Sequence, residues 1–207
     1  MKAPFEDRLL YLLKYTDRYN FKTILDIGPG HSPISTNYLL KKEKKVFSLD
    51  IEDYNKIQHI NHSFINSFIL SYETSKKFDA ILTSHIMEHI QDTGLFLKKC
   101  KDLLKDDGIL FIAVPPYKSL IVGGHVNTGW TIGSLMYNLI LSGFDVRNGR
   151  FKKQGYNIIG FVKKEKRKLP KLMYDRGDIQ KLKEFFPNNK HFKERFEGDI
   201  NEWNWFK

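Results

Sequence analysis

The sequence predicts an α/β fold with a doubly wound, mostly parallel sheet, and three observations predict it. Residues 78–117 read as strand, loop, helix, turn and strand in succession. Residues 23–27 form a short apolar strand that runs into a glycine-rich turn, Gly28-Pro29-Gly30-His31-Ser32-Pro33. A second strand ends in an acid, Asp50, 22 positions beyond Gly28. That is close to the spacing at which a nucleotide-binding fold sets a carboxylate on ribose hydroxyls.

Within 78–117, Ala80, Ile81 and Leu82 lead to a polar break at Thr83-Ser84-His85. Leu95, Phe96, Leu97, Leu103 and Leu104 then recur on roughly one helical face. Asp106-Asp107-Gly108 is expected to end that helix, and residues 109–114 form a buried strand halted by Pro115-Pro116. A right-handed crossover makes the two strands parallel neighbours. Ligands of open α/β sheets sit beyond the carboxyl ends of the strands, so residues 83–89 and 115–117 should border one cleft.

The remaining elements follow in order. Residues 5–15 place Phe5, Leu9, Leu12 and Leu13 at helical spacing among charges, an amphipathic helix packed on the domain. In the turn after the first strand, Gly28 and Gly30 allow a tight bend and a close ligand, and Pro33 suits the first turn of a helix over 34–41. The free N–H groups of that helix face whatever lies over the turn. Residues 45–49 are the strand that ends in Asp50; residues 60–64 offer a further strand, with a loop at Asn66-Ser67. Residues 119–129 form a glycine-containing loop on the ligand side, expected to be mobile. Thr131 or Thr128 caps a helix over 132–141 that Gly143 ends. Residues 144–152 and 156–163 alternate as two antiparallel strands closing one edge.

From residue 164 the chain turns charged, then mixes aromatics (Tyr174, Phe185, Phe186, Phe192, Phe196, Trp203, Trp205, Phe206) with few aliphatics. So many aromatics argue against disorder and for one or two short helices that fold back on the domain or meet a second copy in a homodimer. The expected division is therefore a domain over 1–163 and an extension over 164–207.

A chain of 207 residues can bury one good core. No apolar run could span a bilayer and the N-terminus lacks the features of a signal peptide, so a cytoplasmic protein is expected. A single cysteine, Cys100, excludes an internal disulfide and a cysteine-rich zinc site. The net charge of +10 invites a nucleic-acid reading, but 27 of the 34 basic residues are lysine rather than the bidentate reader arginine, and no binding motif accompanies the charge. Nucleic acid is therefore disfavoured as a partner.

With these residues placed, the chain resembles the class I S-adenosylmethionine-dependent methyltransferases, in particular the small-molecule group with an H-x-x-E-H fourth motif. ILDIGPGHS resembles the first motif, with Asp26, Gly28 and Gly30 matching its acid and first two glycines and Ser32 departing from its third. FSLDIED resembles the second, and FDAILTSHIMEHI with LLKDDGILFIAVP is the most specific part of the resemblance. The resemblance runs from about residue 23 to residue 163. It implies a Rossmann-like, seven-stranded sheet with a C-terminal antiparallel hairpin, S-adenosyl-L-methionine as cofactor, and a small-molecule acceptor. It implies cofactor contacts at Asp26, Gly28, Pro29, Gly30, Asp50, Ile51, Asn66, Ser84 and His85, with Asp50 on the ribose hydroxyls. Short lid elements favour O-methylation of a small polar molecule or glycan precursor, with His125 as first candidate for general base and His85 as second.

Two other readings use the same residues. His85-Ile86-Met87-Glu88-His89 has the spacing of an inverted zinc-peptidase motif, but that needs a helix through all five residues and a third ligand, so no metal is expected. A non-catalytic binding protein on the same fold, or a nucleic-acid methyltransferase, is the other alternative. The retained glycines and Asp50 speak against the former. The Val114-Pro115-Pro116-Tyr117 sequence lacks the leading Asn or Asp of amino-methylating nucleic-acid enzymes.

Overall fold

The structure is a computed structural model, and it describes residues 4–54, 57–119, 122–127, 129–187 and 198–207. Helix α1 (Pro4–Thr16) precedes strand β1 (Thr23–Ile27), helix α2 (Ile34–Lys41), and strands β2 (Lys45–Asp50), β3 (His62–Asn66) and β4 (Phe78–Ser84). A short 3-10 turn (Met87–His89) leads to helix α3 (Thr93–Leu103) and strand β5 (Leu104–Val114). Helix α4 (Ile132–Leu141), strands β6 (Phe144–Gln154) and β7 (Asn157–Lys164), helix α5 (Asp178–Lys181) and strand β8 (Glu202–Trp203) complete the chain.

The strands form one sheet in the order β3-β2-β1-β4-β5-β7-β6-β8. The first five pair in parallel, and β7, β6 and β8 are antiparallel. Order reverses between β1 and β4, so the crevice beyond the carboxyl ends of β1, β2 and β4 is the switch point at which such sheets take ligands. Side chains alternate across the sheet because successive Cβ atoms point to opposite faces. Leu25, Phe47, Ile81, Leu110 and Ile112 meet α3 and α4 on one face. Ile24, Val46, Ala80, Leu82 and Phe111 meet Leu9, Leu12 and Leu13 of α1 and Leu39 of α2 on the other.

Helix α4 begins at a capping box: Ser134 donates its N–H to Thr131 Oγ1 at 3.0 Å and Thr131 donates its own to Ser134 Oγ at 2.9 Å. Gly143, at φ +82°, ends it. Thr128, Phe192 and Phe196 lie outside the described residues.

Several expectations are corrected. The helix in the central unit stops at Leu103, not at Gly108, and β5 starts at once with Leu104 opposite Phe78. The register then slips so that Ala80 faces Ile109; Lys105, Asp106 and Asp107 form the exposed outer arm of this irregularity and Gly108 is already buried, so the segment is not a helix stop. Leu95 is exposed, while Phe96, Leu97, Cys100 and Leu103 form the buried stripe. The third strand lies over His62–Asn66, so Asn66 ends a strand instead of opening a loop.

Among the described residues the sheet has eight strands, where seven were expected. Glu202 and Trp203 pair with Lys152 and Phe151 of β6, helped by Lys152 Nζ on Glu202 at 3.0 Å. Upstream in the same tail, Leu182, Phe185 and Phe186 are buried in the core on the α3–α4 face. Trp205 is buried on the other, with its ring 5.4 Å from Phe161 and 4.9 Å from Tyr15.

Candidate functional site

The turn after β1 is held open by its glycines. Gly28 has φ +70° and donates its N–H to the Leu49 carbonyl at 2.8 Å; a Cβ there would run into the Ile86 side chain. Gly30 has φ +68° and nothing within 4 Å of the position a Cβ would take. Its N–H is donated to Asp50 Oδ2 at 3.0 Å, and the other carboxylate oxygen accepts the Glu52 N–H at 3.3 Å. The acid at the end of β2 and the turn after β1 are thus joined directly.

Beside this junction lies a cleft of about 340 Å³, bordered by Gly28, Gly30, Asp50, Ile51, Phe68 and His89 among others. Ile51 and Phe68 are large apolar side chains left exposed. Such surface beside a nearly buried carboxylate suits a flat base on the apolar walls and a diol on the acid. His31 and Tyr54, with ring centroids 3.9 Å apart, close one side.

Asp26 lies below the cleft rather than on it. It is buried, and its Oδ2 accepts the hydroxyls of Ser35 and Thr36, each at 2.7 Å. Thr36 Oγ1 also meets Ser48 Oγ at 2.9 Å, and Ser48 meets His62 Nε2 at 3.0 Å, a polar line tying α2 to β2 and β3. Burial pushes the Asp26 carboxyl up to about 6; the Thr36 and Ser35 hydroxyls oppose this and the Asp50 charge adds to it. Pro29 lines a separate small recess with Pro33, Ser48 and Tyr54. Asn66 donates its amide to the carbonyls of Ile51 at 2.9 Å and Asp50 at 3.3 Å, which fixes the backbone that presents the acid. The cleft itself is lined by the next residues, Ser67, Phe68 and Ile69.

After β4 the chain bends sharply at His85, a non-glycine residue at φ +59°. Both ring nitrogens are engaged: Nδ1 with Glu88 Oε1 at 3.1 Å and Nε2 with Asn157 Oδ1 at 2.8 Å. The ring also stacks on Tyr156 at 5.9 Å. Its neighbour Ser84 has a buried Oγ with no partner, as has Thr83 Oγ1, so two hydroxyls at the end of β4 remain to be satisfied.

His125 sits on the loop after β5, with its ring 4.8 Å from that of His89 and perpendicular to it. His89 borders the cleft, and its Nδ1 meets the Gly124 carbonyl at 2.8 Å. In a neutral ring this bond puts the proton on Nδ1 and the lone pair on Nε2. His31, Tyr54 and Phe68 are site residues that the sequence does not single out, whereas His89 closes the 83–89 segment expected to border the cleft but carries no role of its own in that expectation.

Residues 1–162 match the family model described as a methyltransferase domain. Among curated proteins, the chain is 29% identical over 128 residues to (S)-coclaurine N-methyltransferase of Papaver somniferum, covering 56% of this chain and 36% of that protein. It is 31% identical over 120 residues to the ubiquinone biosynthesis O-methyltransferase of Pelagibacter ubique, covering 52% and 50%. The chain therefore spans half or less of the length of these two relatives. Among solved structures, the N-methyltransferase NodS of Bradyrhizobium japonicum, bound to S-adenosyl-L-homocysteine, superimposes with a TM-score of 0.62 at 16% identity, covering 79% of this chain and 89% of NodS. The fold, the glycine turn joined to the acid of β2 and the matched family model agree, and the chain belongs to the methyltransferase-domain family, of the S-adenosylmethionine-dependent, class I type.

Proposed function

We propose that this chain transfers a methyl group from S-adenosyl-L-methionine to a hydroxyl of a small polar molecule or glycan precursor. The observation that carries the choice of oxygen is the His89–His125 pair at the edge of the cleft. An amine can attack a methyl group without prior loss of a proton, whereas a hydroxyl gains from a group that takes or weakens its proton.

Bound in the cleft, the cofactor supplies a methyl group activated by a positive sulfur. The chain's own residues then do four things. Asp50 accepts the ribose hydroxyls. Ile51 and Phe68 hold the base between apolar surfaces. Gly30 leaves its backbone open to the ligand, with Gly28 setting the turn and Pro29 stiffening it. Asp26 and Asn66 act at one remove, bracing α2 and the end of β2, and Ser84 offers its unpaired hydroxyl to the polar end of the ligand.

The acceptor enters from the side of residues 122–127, and the His89–His125 pair orients its hydroxyl. His125 would take the hydroxyl's proton as the oxygen attacks, and the bound cofactor would supply the electrophilic methyl group and keep the electron pair of the broken bond on its sulfur. His85 is a positioning residue in this reading, because Glu88 and Asn157 already occupy both its nitrogens. Among the described residues no helix is long and apolar enough to cross a membrane. The cytoplasmic placement remains part of the proposal.

The test is transfer of isotopically labelled methyl from the cofactor to matched sets of small hydroxylated and amine-bearing acceptors. Labelling of hydroxyl acceptors that falls at least about tenfold in His125→Ala supports the reading, since general acid–base groups contribute 100-fold or more. Labelling of amines alone, unchanged in that variant, contradicts it.

A further inference from the structure

Glu88 is fully buried, and among the described residues only one of its carboxylate oxygens is accounted for: Oε1 meets His85, while Oε2 has no partner there. A buried carboxylate oxygen left bare is costly, so it calls for a proton donor or a cation. Two imidazoles stand near the Glu88 carboxylate. One ligand-capable atom from each of Glu88, His89 and His125 lies within 4.8 Å of the others. The loop that carries His125 is tied to this spot, because the Glu88 carbonyl accepts the N–H groups of Val126 at 2.8 Å and Asn127 at 3.3 Å.

We propose that Glu88, His89 and His125 bind one divalent transition-metal ion of the zinc class at the rim of the cofactor cleft. Two imidazoles and one carboxylate, with room for an exogenous oxygen, make a donor set that suits zinc and its neighbours and is poor for magnesium or calcium, which take oxygen ligands. The outer partners that fix metal ligands are present. His89 Nδ1 is held by the Gly124 carbonyl and Glu88 Oε1 by His85, the bonds that set a ligand's tautomer and aim. A tetrahedral ion with bonds of about 2.0–2.1 Å spaces its ligands about 3.4 Å apart, so the His89 and His125 rings close on Glu88 by side-chain torsion when the ion enters.

What the ion does rests on the O-methylation proposed above. With the ion bound, His125 acts as its ligand and not as the base itself: a hydroxyl placed at the ion's open position becomes more acidic and gives up its proton to solvent water, which leaves the oxygen ready to attack the methyl carbon. This reading reverses the expectation of no metal drawn from the sequence.

The test uses tag-free full-length protein stripped with chelator and titrated with Co²⁺ alone, followed by visible absorption and calorimetry. The expected result is one Co²⁺ per chain with the ligand-field band of a low-coordinate nitrogen–oxygen site, displaced by Zn²⁺. His125→Ala and Glu88→Gln should each weaken binding more than about tenfold, since even loss of an outer partner weakens metal sites by that much. Absence of the band, or equal Co²⁺ affinity in wild type and His125→Ala, overturns the site. The thermal response to S-adenosylhomocysteine, read on the same samples, reports on the cofactor cleft alone and so keeps failure of the metal site distinct from failure of the methyltransferase reading.

Discussion

Asp50 Oδ2 accepts the backbone N–H of Gly30 at 3.0 Å, which joins the carboxyl end of β2 to the turn after β1 before any ligand arrives. Of the 22 positions from Gly28 to Asp50, eight form α2, and the helix returns the chain so that acid and glycines meet. The proposed cofactor site is thus pre-assembled, and its parts can be perturbed one at a time.

The two glycines of the turn should fail differently. In Gly28→Ala the new methyl meets Ile86 and the residue keeps a left-handed backbone, so we expect a loss of about 2 kcal/mol or more in unfolding free energy. Gly30→Ala carries the backbone cost alone, about 1–2 kcal/mol, because its Cβ enters open space. It should nonetheless lose most ligand response, since that space borders the cleft. Urea melts with and without S-adenosylhomocysteine separate the two effects.

Asp26 should give the protein an inverted pH dependence. Its carboxyl is raised from 3.8 to about 6, so between these values the folded state keeps a proton that the unfolded state has released. Stability from this group is full below the lower value and is lost as pH rises through the upper one, by about 2–3 kcal/mol for a shift of this size. Asp26→Asn keeps an acceptor for Ser35 and Thr36 without the charge. Its stability relative to wild type should therefore improve as pH rises from about 4 through about 6 and then level off. A difference between variants that does not change with pH would show that Asp26 is not held protonated by burial.

Phe186 tests whether the tail belongs to the folded unit. It is 1% exposed in the core that also holds α3 and α4. Phe186→Ala should cost about 3–5 kcal/mol in a single cooperative denaturant transition. A loss near zero, or a separate early transition for the tail, would mean that residues 164–207 do not share the domain's core.

The parts of this architecture visible in the sequence are those set by local chemistry. Helices α2 and α4 have the expected bounds because Pro33 and Thr131 mark their starts and Gly143 one end. Gly28, Gly30 and Asp50 were readable because a strand, a glycine turn and a strand-end acid occur at a diagnostic spacing. Strand β8 was not readable, since two residues pairing with β6 leave no alternation to detect and their position depends on contacts across some fifty residues. The Asp106-Asp107-Gly108 segment resembles a helix stop, yet the early pairing of Leu104 with Phe78 draws it into a strand irregularity. His89 and His125 are 36 positions apart and meet only because the loop after β5 folds back onto Glu88. Periodicity carries no trace of such a meeting.

The central claim is that the cleft between Gly30 and Asp50 is a cofactor site, and the most direct measurement is a thermal-shift titration with S-adenosylmethionine and S-adenosylhomocysteine on wild type and Asp50→Ala. A ligand that binds only the folded form raises the midpoint once its concentration exceeds Kd. Loss of charge-assisted bonds to the ribose should weaken binding by about 1.5–3 kcal/mol, roughly 10- to 100-fold. The account predicts a concentration-dependent rise in wild type that moves to correspondingly higher ligand in a folded Asp50→Ala. No rise with either ligand in folded wild type, or an equal rise in both proteins, would contradict it.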